Sequence, residues 1–295
     1  MKWTALGVFL LTLIISYNLV DDFDPGVLSG KRVLVTGASM GIGEQMAYHY
    51  AKLGARLIIT ARTESRLKQV IERCHEVGDR NGDYFYITAD MEDYRSAHAV
   101  IEKAEQLLGG LDFLILNHIM ASPLGEWHGS AKNLTLLDKI FDINFKAYVH
   151  LTSHALPMLE KGNGSIVVVT SIAGRISQPY VISYSASKFA LDGFYSGLRQ
   201  EFLLRNIDVS ITQCVMGLIG TNNAIKGLRD FGVHFLIDKF PTADPADAAL
   251  AIIRGGALRL KTIYYPFVEA RFTTLLRDWI PSALETLVRF CFQRS

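Results

Sequence analysis

Tyr184 and Lys188 stand four residues apart in Tyr184-Ser-Ala-Ser-Lys188. On a helix that spacing puts both on one face, so a phenol and an ammonium can point into one cleft. A cation beside a phenol favours the phenolate and lowers a pKa that starts near ~10. Such a tyrosine can exchange a proton with an alcohol or a carbonyl near neutral pH. The spacing alone is not selective: the chain has 12 tyrosines, and Tyr48 with Lys52 repeats it. Context separates the two. Thirteen residues before Tyr184 comes Ser171, at the end of the apolar run Ser165 to Ser171, whereas Val35 holds that place before Tyr48. A serine at a strand's carboxyl end can hydrogen-bond a substrate oxygen beside the tyrosine; its plain role is to terminate the strand. Asn144, after Phe141-Asp142-Ile143, lies in a helical stretch amid apolar neighbours. It is either a buried amide with no chemical role or the anchor of a water chain to Lys188.

A second constellation lies upstream. Thr36-Gly37-Ala38-Ser39-Met40-Gly41-Ile42-Gly43 follows a β-branched run, Lys31 to Thr36, and opens a helical pattern from Ile42 to Leu53. Glycines at these places allow a tight turn and let backbone N–H groups approach a pyrophosphate at a helix N-terminus. The spacing is GxxxGxG rather than GxGxxG, so a simple glycine-rich turn is the alternative. Its place between a strand and a helix favours phosphate binding.

The elements that must position both sets follow. Strand patterns at Arg56 to Thr60, Tyr84 to Ala89, Phe113 to Leu116, Ser165 to Ser171 and Asp208 to Val215 alternate with helical ones. The helical stretches are Ser65 to Val77, Tyr94 to Leu108, Leu134 to Leu159 and Tyr184 to Leu204. This alternation predicts an α/β fold, a single Rossmann-like doubly wound parallel sheet with helices on both faces. Ligands of such sheets sit at the carboxyl ends of the strands, where Gly37 and Ser171 fall. No repeat or linker divides the chain. The expected organisation is a leading segment 1–24, one catalytic domain 25–266 and an amphipathic C-terminal segment 267–295.

Composition narrows the partners. The 295 residues carry 30 basic and 29 acidic side chains, a formal net charge of +1. That balance gives no pull toward polyanions and argues against nucleic acid. With 49% hydrophobic and 20% charged residues, disorder is excluded. Cys74, Cys214 and Cys291 are odd in number and form no CxxC pair, so neither a disulfide framework nor a zinc site follows. His150 and His154 have a spacing that can hold zinc, but no third ligand or HExxH context accompanies them, and no metal is expected.

Trp3 to Val20 is free of charge, between Lys2 and Asp21-Asp22. As a helix it would be about 27 Å long, close to the ~30 Å hydrocarbon core. The run is long for a signal peptide and shows no small-x-small cleavage site, so an uncleaved membrane anchor is expected. Cleavage and secretion are the alternative. Lys2 on the cytosolic side puts the rest of the chain in the lumen. The sequons Asn133-Leu-Thr135 and Asn163-Gly-Ser165 suit that side. At the other end, Leu275, Leu276, Trp279, Ile280, Leu284, Leu287, Val288 and Cys291 form a helical stripe interrupted by Pro281 and flanked by arginines. It suits a membrane interface, or a helix packed on the domain or a dimer partner.

These residues together resemble the short-chain dehydrogenase/reductase family, over about residues 30 to 265. Its cofactor motif TGxxxGxG matches Thr36 to Gly43, which implies cofactor contacts at Gly37, Ser39, Met40, Gly41, Ile42 and Gly43. Its NNAG-like element matches Asn117, His118, Ile119 and Met120, and its catalytic Asn, Ser, Tyr and Lys match Asn144, Ser171, Tyr184 and Lys188. Segments 114–119, 164–169, 184–193 and 253–257 are similar to the microsomal 11β-hydroxysteroid dehydrogenase branch. The resemblance implies hydride transfer between NADP(H) and a steroid hydroxyl or ketone held by Ser171 and Tyr184. Asp90 and Met91 would flank the adenine, Ile219 to Thr221 would close over the nicotinamide, and Tyr184 and Lys188 would also touch the cofactor. A homodimer anchored in the endoplasmic reticulum membrane, facing the lumen, is implied as well. Two features depart from the branch: Gln178 stands where an aromatic is usual, and Gly220 where an acid is usual. The substrate is therefore open between a steroid and another lipophilic alcohol or ketone, such as a retinoid, sterol or prenyl alcohol. A non-catalytic NADP-binding membrane protein is the remaining alternative, and the intact Asn-Ser-Tyr-Lys set speaks against it.

Cofactor choice can be argued from charge. An acid at the end of the second strand accepts from the ribose 2′-OH of NAD, and a cation there suits the 2′-phosphate of NADP. This strand ends Ile59-Thr60-Ala61-Arg62, with no acid and one arginine. Met40, where related NADP enzymes often carry a cation, supplies none. NADP(H) is expected, with Arg62 as its one strong phosphate partner.

Overall fold

In the computed structural model, which describes residues 23–292 except 234, 236, 238 and 239, the strands are apolar on both sides. In β1 (Arg32–Thr36), Val33 and Val35 enter one core and Leu34 the other, all fully buried. The same division holds for Leu57 and Ile59 against Ile58 in β2 (Arg56–Ala61), and for Val167 and Val169 against Ile166 and Val168 in β5 (Ser165–Ser171). A strand buried on both faces needs helices on both faces. One side is covered by α1 (Gly41–Lys52) and α2 (Glu64–Val77), the other by α3 (Tyr94–Leu108).

With β3 (Tyr84–Thr88), β4 (Phe113–Leu116), β6 (Ser210–Met216) and β7 (Thr262–Tyr265), the strands form one seven-stranded sheet of order β3-β2-β1-β4-β5-β6-β7. Every pair is parallel. The strand order reverses between β1 and β4, and a crevice opens at their carboxyl ends. The predicted doubly wound sheet is present, with β7 added. Its four residues are all half-buried and show no alternation, so the strand leaves little trace in the sequence.

The stretch expected as one helix from Leu134 to Leu159 is three pieces. A capping box between Ser130 and Asn133 starts α4 (Ala131–Phe141), a π-helical turn spans Asp142–Lys146, and α5 (Ala147–Lys161) follows. The chain then continues through β5 to α6 (Ile182–Leu204), α7 (Asn222–Asp230) after β6, and α8 (Pro245–Ala257) before β7. At the C-terminus Pro281 breaks the stripe into α9 (Phe267–Trp279) and α10 (Pro281–Phe292). Ala270, Thr274 and Leu284 face inward while Phe272, Trp279, Ile280 and Phe290 remain exposed.

The apolar run Trp3 to Val20 of the expected N-terminal anchor 1–24 lies outside the described residues. None of the described helices is long and apolar enough to cross a membrane. The three cysteines are free. His98 of α3 stacks edge-on at 4.9 Å from His154, yet among the described residues no three His, Cys, Asp or Glu side chains are placed to hold a metal.

Candidate active site

Ser171 ends β5 opposite Met216 of β6. Its hydroxyl accepts from the Ala173 N–H at 3.1 Å and caps a 3-10 turn, Ile172–Gly174, that reverses the chain toward α6. Gly174 lets α6 approach: a Cβ there would sit 2.8 Å from the Lys188 carbonyl oxygen. Tyr184 and Lys188 therefore lie one helical turn apart beside Ser171. Lys188 is fully buried; its ammonium donates to the Val169 carbonyl at 2.9 Å and lies 5.8 Å from the centre of the Tyr184 ring.

The electrostatics differ from the expected cation-lowered phenol. Burial raises the pKa of Tyr184, and its contact with the Ser171 hydroxyl works the other way. Burial also lowers Lys188, to about 7. The ammonium faces the ring and a carbonyl rather than the phenol oxygen, so desolvation decides both groups. Tyr184 is thus held protonated at neutral pH, as a proton donor to a carbonyl requires. The other tyrosine–lysine pair is different: Tyr48 donates to Glu44 at 2.8 Å, and Lys52 is exposed.

Asn144 sits in the π turn, fully buried. Its Oδ1 accepts from Met120 N–H at 2.7 Å and its Nδ2 donates to the Met120 carbonyl at 3.1 Å. The side chain is committed to the loop after β4 and holds that loop over the site. His118 makes a parallel tie. Its Nε2 lies 3.1 Å from the Ile143 carbonyl oxygen, to which it donates, and its Nδ1 lies 2.9 Å from Thr36 Oγ1. Burial, then the charge of Lys188, push its pKa down to about 3, so the ring is neutral.

A cleft of about 990 Å³ runs from Ser171, Tyr184 and Lys188 along the carboxyl edge of the sheet to Arg62. Every expected cofactor residue lines it except Gly43, including Asp90 and Met91 on one side and Ile219 and Thr221 on the other. Gly43 lies beneath the loop, where an added Cβ would meet the Gly37 carbonyl oxygen at 2.3 Å and Asn117 Nδ2 at 2.6 Å. Gly41 has φ +62, and a Cβ there would point at Thr221, 3.1 Å away across the cleft. A backbone-walled cradle at the N-terminus of α1 fits a dinucleotide pyrophosphate. We expect Gly43→Ala to weaken nicotinamide dinucleotide binding by about tenfold or more and to lower Tm, since backbone must shift to admit the methyl. Titration calorimetry and thermal melts check this; wild-type values for both would contradict the tight packing.

The rim at the end of β2 holds more charge than the sequence disclosed. Arg66, in the first turn of α2, lines the same cleft as Arg62, and its guanidinium reaches Met40 Sδ at 3.9 Å. Asn223 Nδ2 contacts the same sulfur at 2.8 Å. Arg62 is therefore not the one cation available. Glu64 is committed elsewhere, to Lys68 at 2.9 Å and the Tyr86 hydroxyl at 3.1 Å. Sequence reasoning passed over Arg66, although one helical turn separates it from Arg62.

Comparison with known proteins agrees with this geometry. The family model described as short chain dehydrogenase matches residues 31–228. A hydroxysteroid 11-beta-dehydrogenase 1-like protein of Gallus gallus is 48% identical over 258 residues, covering 87% of this chain and 86% of the relative. One from Xenopus tropicalis is 44% identical, covering 90% and 89%. A solved short chain dehydrogenase/reductase from Burkholderia phymatum, in complex with NAD, shares the fold with a TM-score of 0.75 and 20% identity, over 85% of this chain and 94% of that one.

Proposed function

The chain belongs to the short-chain dehydrogenase/reductase family, and from that premise we propose that this nicotinamide-dependent oxidoreductase works with NADP(H) on the hydroxyl or ketone of a steroid. The observation that carries the chemistry is Tyr184 beside Ser171, with Lys188 one turn below, at the mouth of a glycine-walled cleft. A bound nicotinamide supplies or takes the hydride. Ser171 holds the substrate oxygen, Tyr184 gives that oxygen a proton or takes one from it, and Lys188 carries the nearby positive charge. Asn144 and His118 position the loop and the π turn around them.

The steroid assignment is supported by the names of the relatives and by the exposed apolar side chains of the C-terminal helices α9 and α10. Gln178 and Gly220 favour keeping retinoids, sterols and prenyl alcohols as the second substrate class. We further propose a homodimer on the lumenal side of the endoplasmic reticulum membrane, with segment 1–24 as anchor. The exposed Phe272, Trp279, Ile280 and Phe290 of α9 and α10 support contact with the bilayer surface.

NADP(H) preference rests on the paired cations Arg62 and Arg66 and on the absence of a free acid at the end of β2. A charge-assisted phosphate contact is worth roughly 1.5–3 kcal/mol, about ten- to a hundredfold in affinity. Arg62→Ala should lose part of the preference, and Arg62→Ala with Arg66→Ala nearly all of it, with NAD(H) little changed. Met40→Lys should add to it. The readout is kcat/KM for both cofactors. A wild type that prefers NAD(H), or a double variant that keeps full NADP(H) preference, would refute the assignment.

A further inference from the structure

Ser171 and Tyr184 reach the site from different elements, so something must fix the distance between them. Ser171 ends β5, its hydroxyl caps the 3-10 turn Ile172–Gly174, and Arg175 closes that turn at its other end. The Arg175 side chain reaches α6 and β6 together. One arm pairs with Asp192, one helical turn beyond Lys188, and the other donates to Gln213 Oε1 at 3.1 Å. Gln213 is itself buried in β6, and its Nε2 donates to the Asp192 carbonyl and to Ser196 Oγ, both at 3.3 Å. A further tie comes from the C-terminus, where Arg277 of α9 donates to the Arg175 carbonyl at 2.5 Å. Neither Arg175 nor any of these partners lines the cleft.

The turn therefore meets the catalytic helix at two heights: Gly174 packs against Lys188, and Arg175 grips Asp192. A planar guanidinium that commits its nitrogens to two elements fixes direction as well as distance. The Arg175 side chain is only 13% exposed, so solvent screens the contact less than at an open surface. Catalytic geometry is demanding, and a misplacement of about 1 Å can cost about 10²-fold in rate. We propose that Arg175 is a positioning residue, braced by Asp192, Gln213 and Arg277, that holds Ser171 at its working distance from Tyr184. It lies outside the cleft and acts only through the turn that Ser171 caps. The proposal rests on the Ser171–Tyr184 reading above. It also gives α9 a part in shaping the site, through Arg277.

The test uses the full chain with NADPH and three carbonyl compounds: cyclohexanone, androstenedione and retinal. Calorimetric NADP⁺ binding and thermal melts accompany the kinetics. Arg175→Met should lower kcat for the best of the three about tenfold or more, as misplaced catalytic groups do. Its KM for that compound and its Kd for NADP⁺ should stay within about threefold, the pattern of an interaction felt only at the reacting atoms. Asp192→Leu should act alike, and the double variant should lose no more than the worse single one, because both remove the same contact. Arg277→Met should lie between wild type and Arg175→Met. Arg32→Met controls for lost stability: it breaks a comparable pair, Arg32 with Asp112 at 2.8 Å, at the amino edge of the sheet. It should lower Tm while kcat stays within about twofold, since distant sites act independently. Should Arg175→Met not fold, Arg175→Lys decides, because it keeps the ion pair without the arm on Gln213; its kcat should fall about threefold or more. Wild-type kcat in the Arg175 variants, losses that multiply in the double variant, or an equal kcat loss in Arg32→Met would overturn the proposal and leave the Ser171–Tyr184 reading standing. If wild type reduces none of the three, or Tyr184→Phe reduces them equally well, that reading fails and the proposal with it.

Discussion

Tyr184→Phe is expected to reduce turnover by about 10²–10⁴ while the protein folds and binds its cofactor almost as before, because general acid–base catalysis is worth that much. The substitution deletes one oxygen. The ring remains half-buried between Ser171 and Lys188, so the contacts that fold α6 against the 3-10 turn persist. Tm should move by only a few degrees and dinucleotide affinity by less than about threefold. Rate loss without binding loss identifies an interaction made at the reacting oxygen. Near-normal turnover would mean that the proton travels by another route.

The second large effect concerns Lys188. Its pKa of about 7 in the fold compares with ~10.4 in an unfolded chain. Between these values the unfolded chain binds the additional proton, so this residue makes stability rise with pH from about 7 to about 10. Below pH 7 the burial penalty is fully present, of the order of 4 kcal/mol at 1.36 kcal/mol per pK unit. Lys188→Met removes the charge and leaves the Val169 carbonyl without its donor, a loss of roughly 1–3 kcal/mol. The variant should therefore melt above wild type at pH 6.5 by several degrees, lose that advantage by pH 9.5, and have almost no turnover with weakened cofactor affinity. Thermal melts at the two pH values, with one turnover assay, are sufficient. A variant less stable at pH 6.5, or a gap independent of pH, would show that Lys188 is not a strained buried cation.

Tyr184, Lys188 and Ser171 were legible because chemistry dictates their types and helix and strand geometry dictates their spacing. The glycines at 37 and 43 were legible because an added Cβ would meet backbone there, and Gly41 because its φ of +62 favours glycine. Alternating apolar runs revealed six strands, since strands buried on both faces admit little else.

What was hidden has physical reasons too. The π turn at Asp142–Lys146 adds one residue to a helix whose apolar pattern hardly changes, yet it decides where Asn144 points. Arg66 looks like any exposed helix arginine until α2 is placed against the end of β2. The direction of the Tyr184 shift depends on desolvation, which no spacing rule reports. Arg175 meets Gln213 and Arg277 only after the chain has folded, across 38 and 102 residues of sequence.

The most direct test of the central claim is hydride transfer by the purified full chain, followed at 340 nm, with NADPH or NADH and a panel of ketosteroids. Wild type should reduce at least one ketosteroid with NADPH in preference to NADH, and Tyr184→Phe should not reduce it. Absence of transfer to any steroid, preference for NADH, or equal rates in the variant would contradict it.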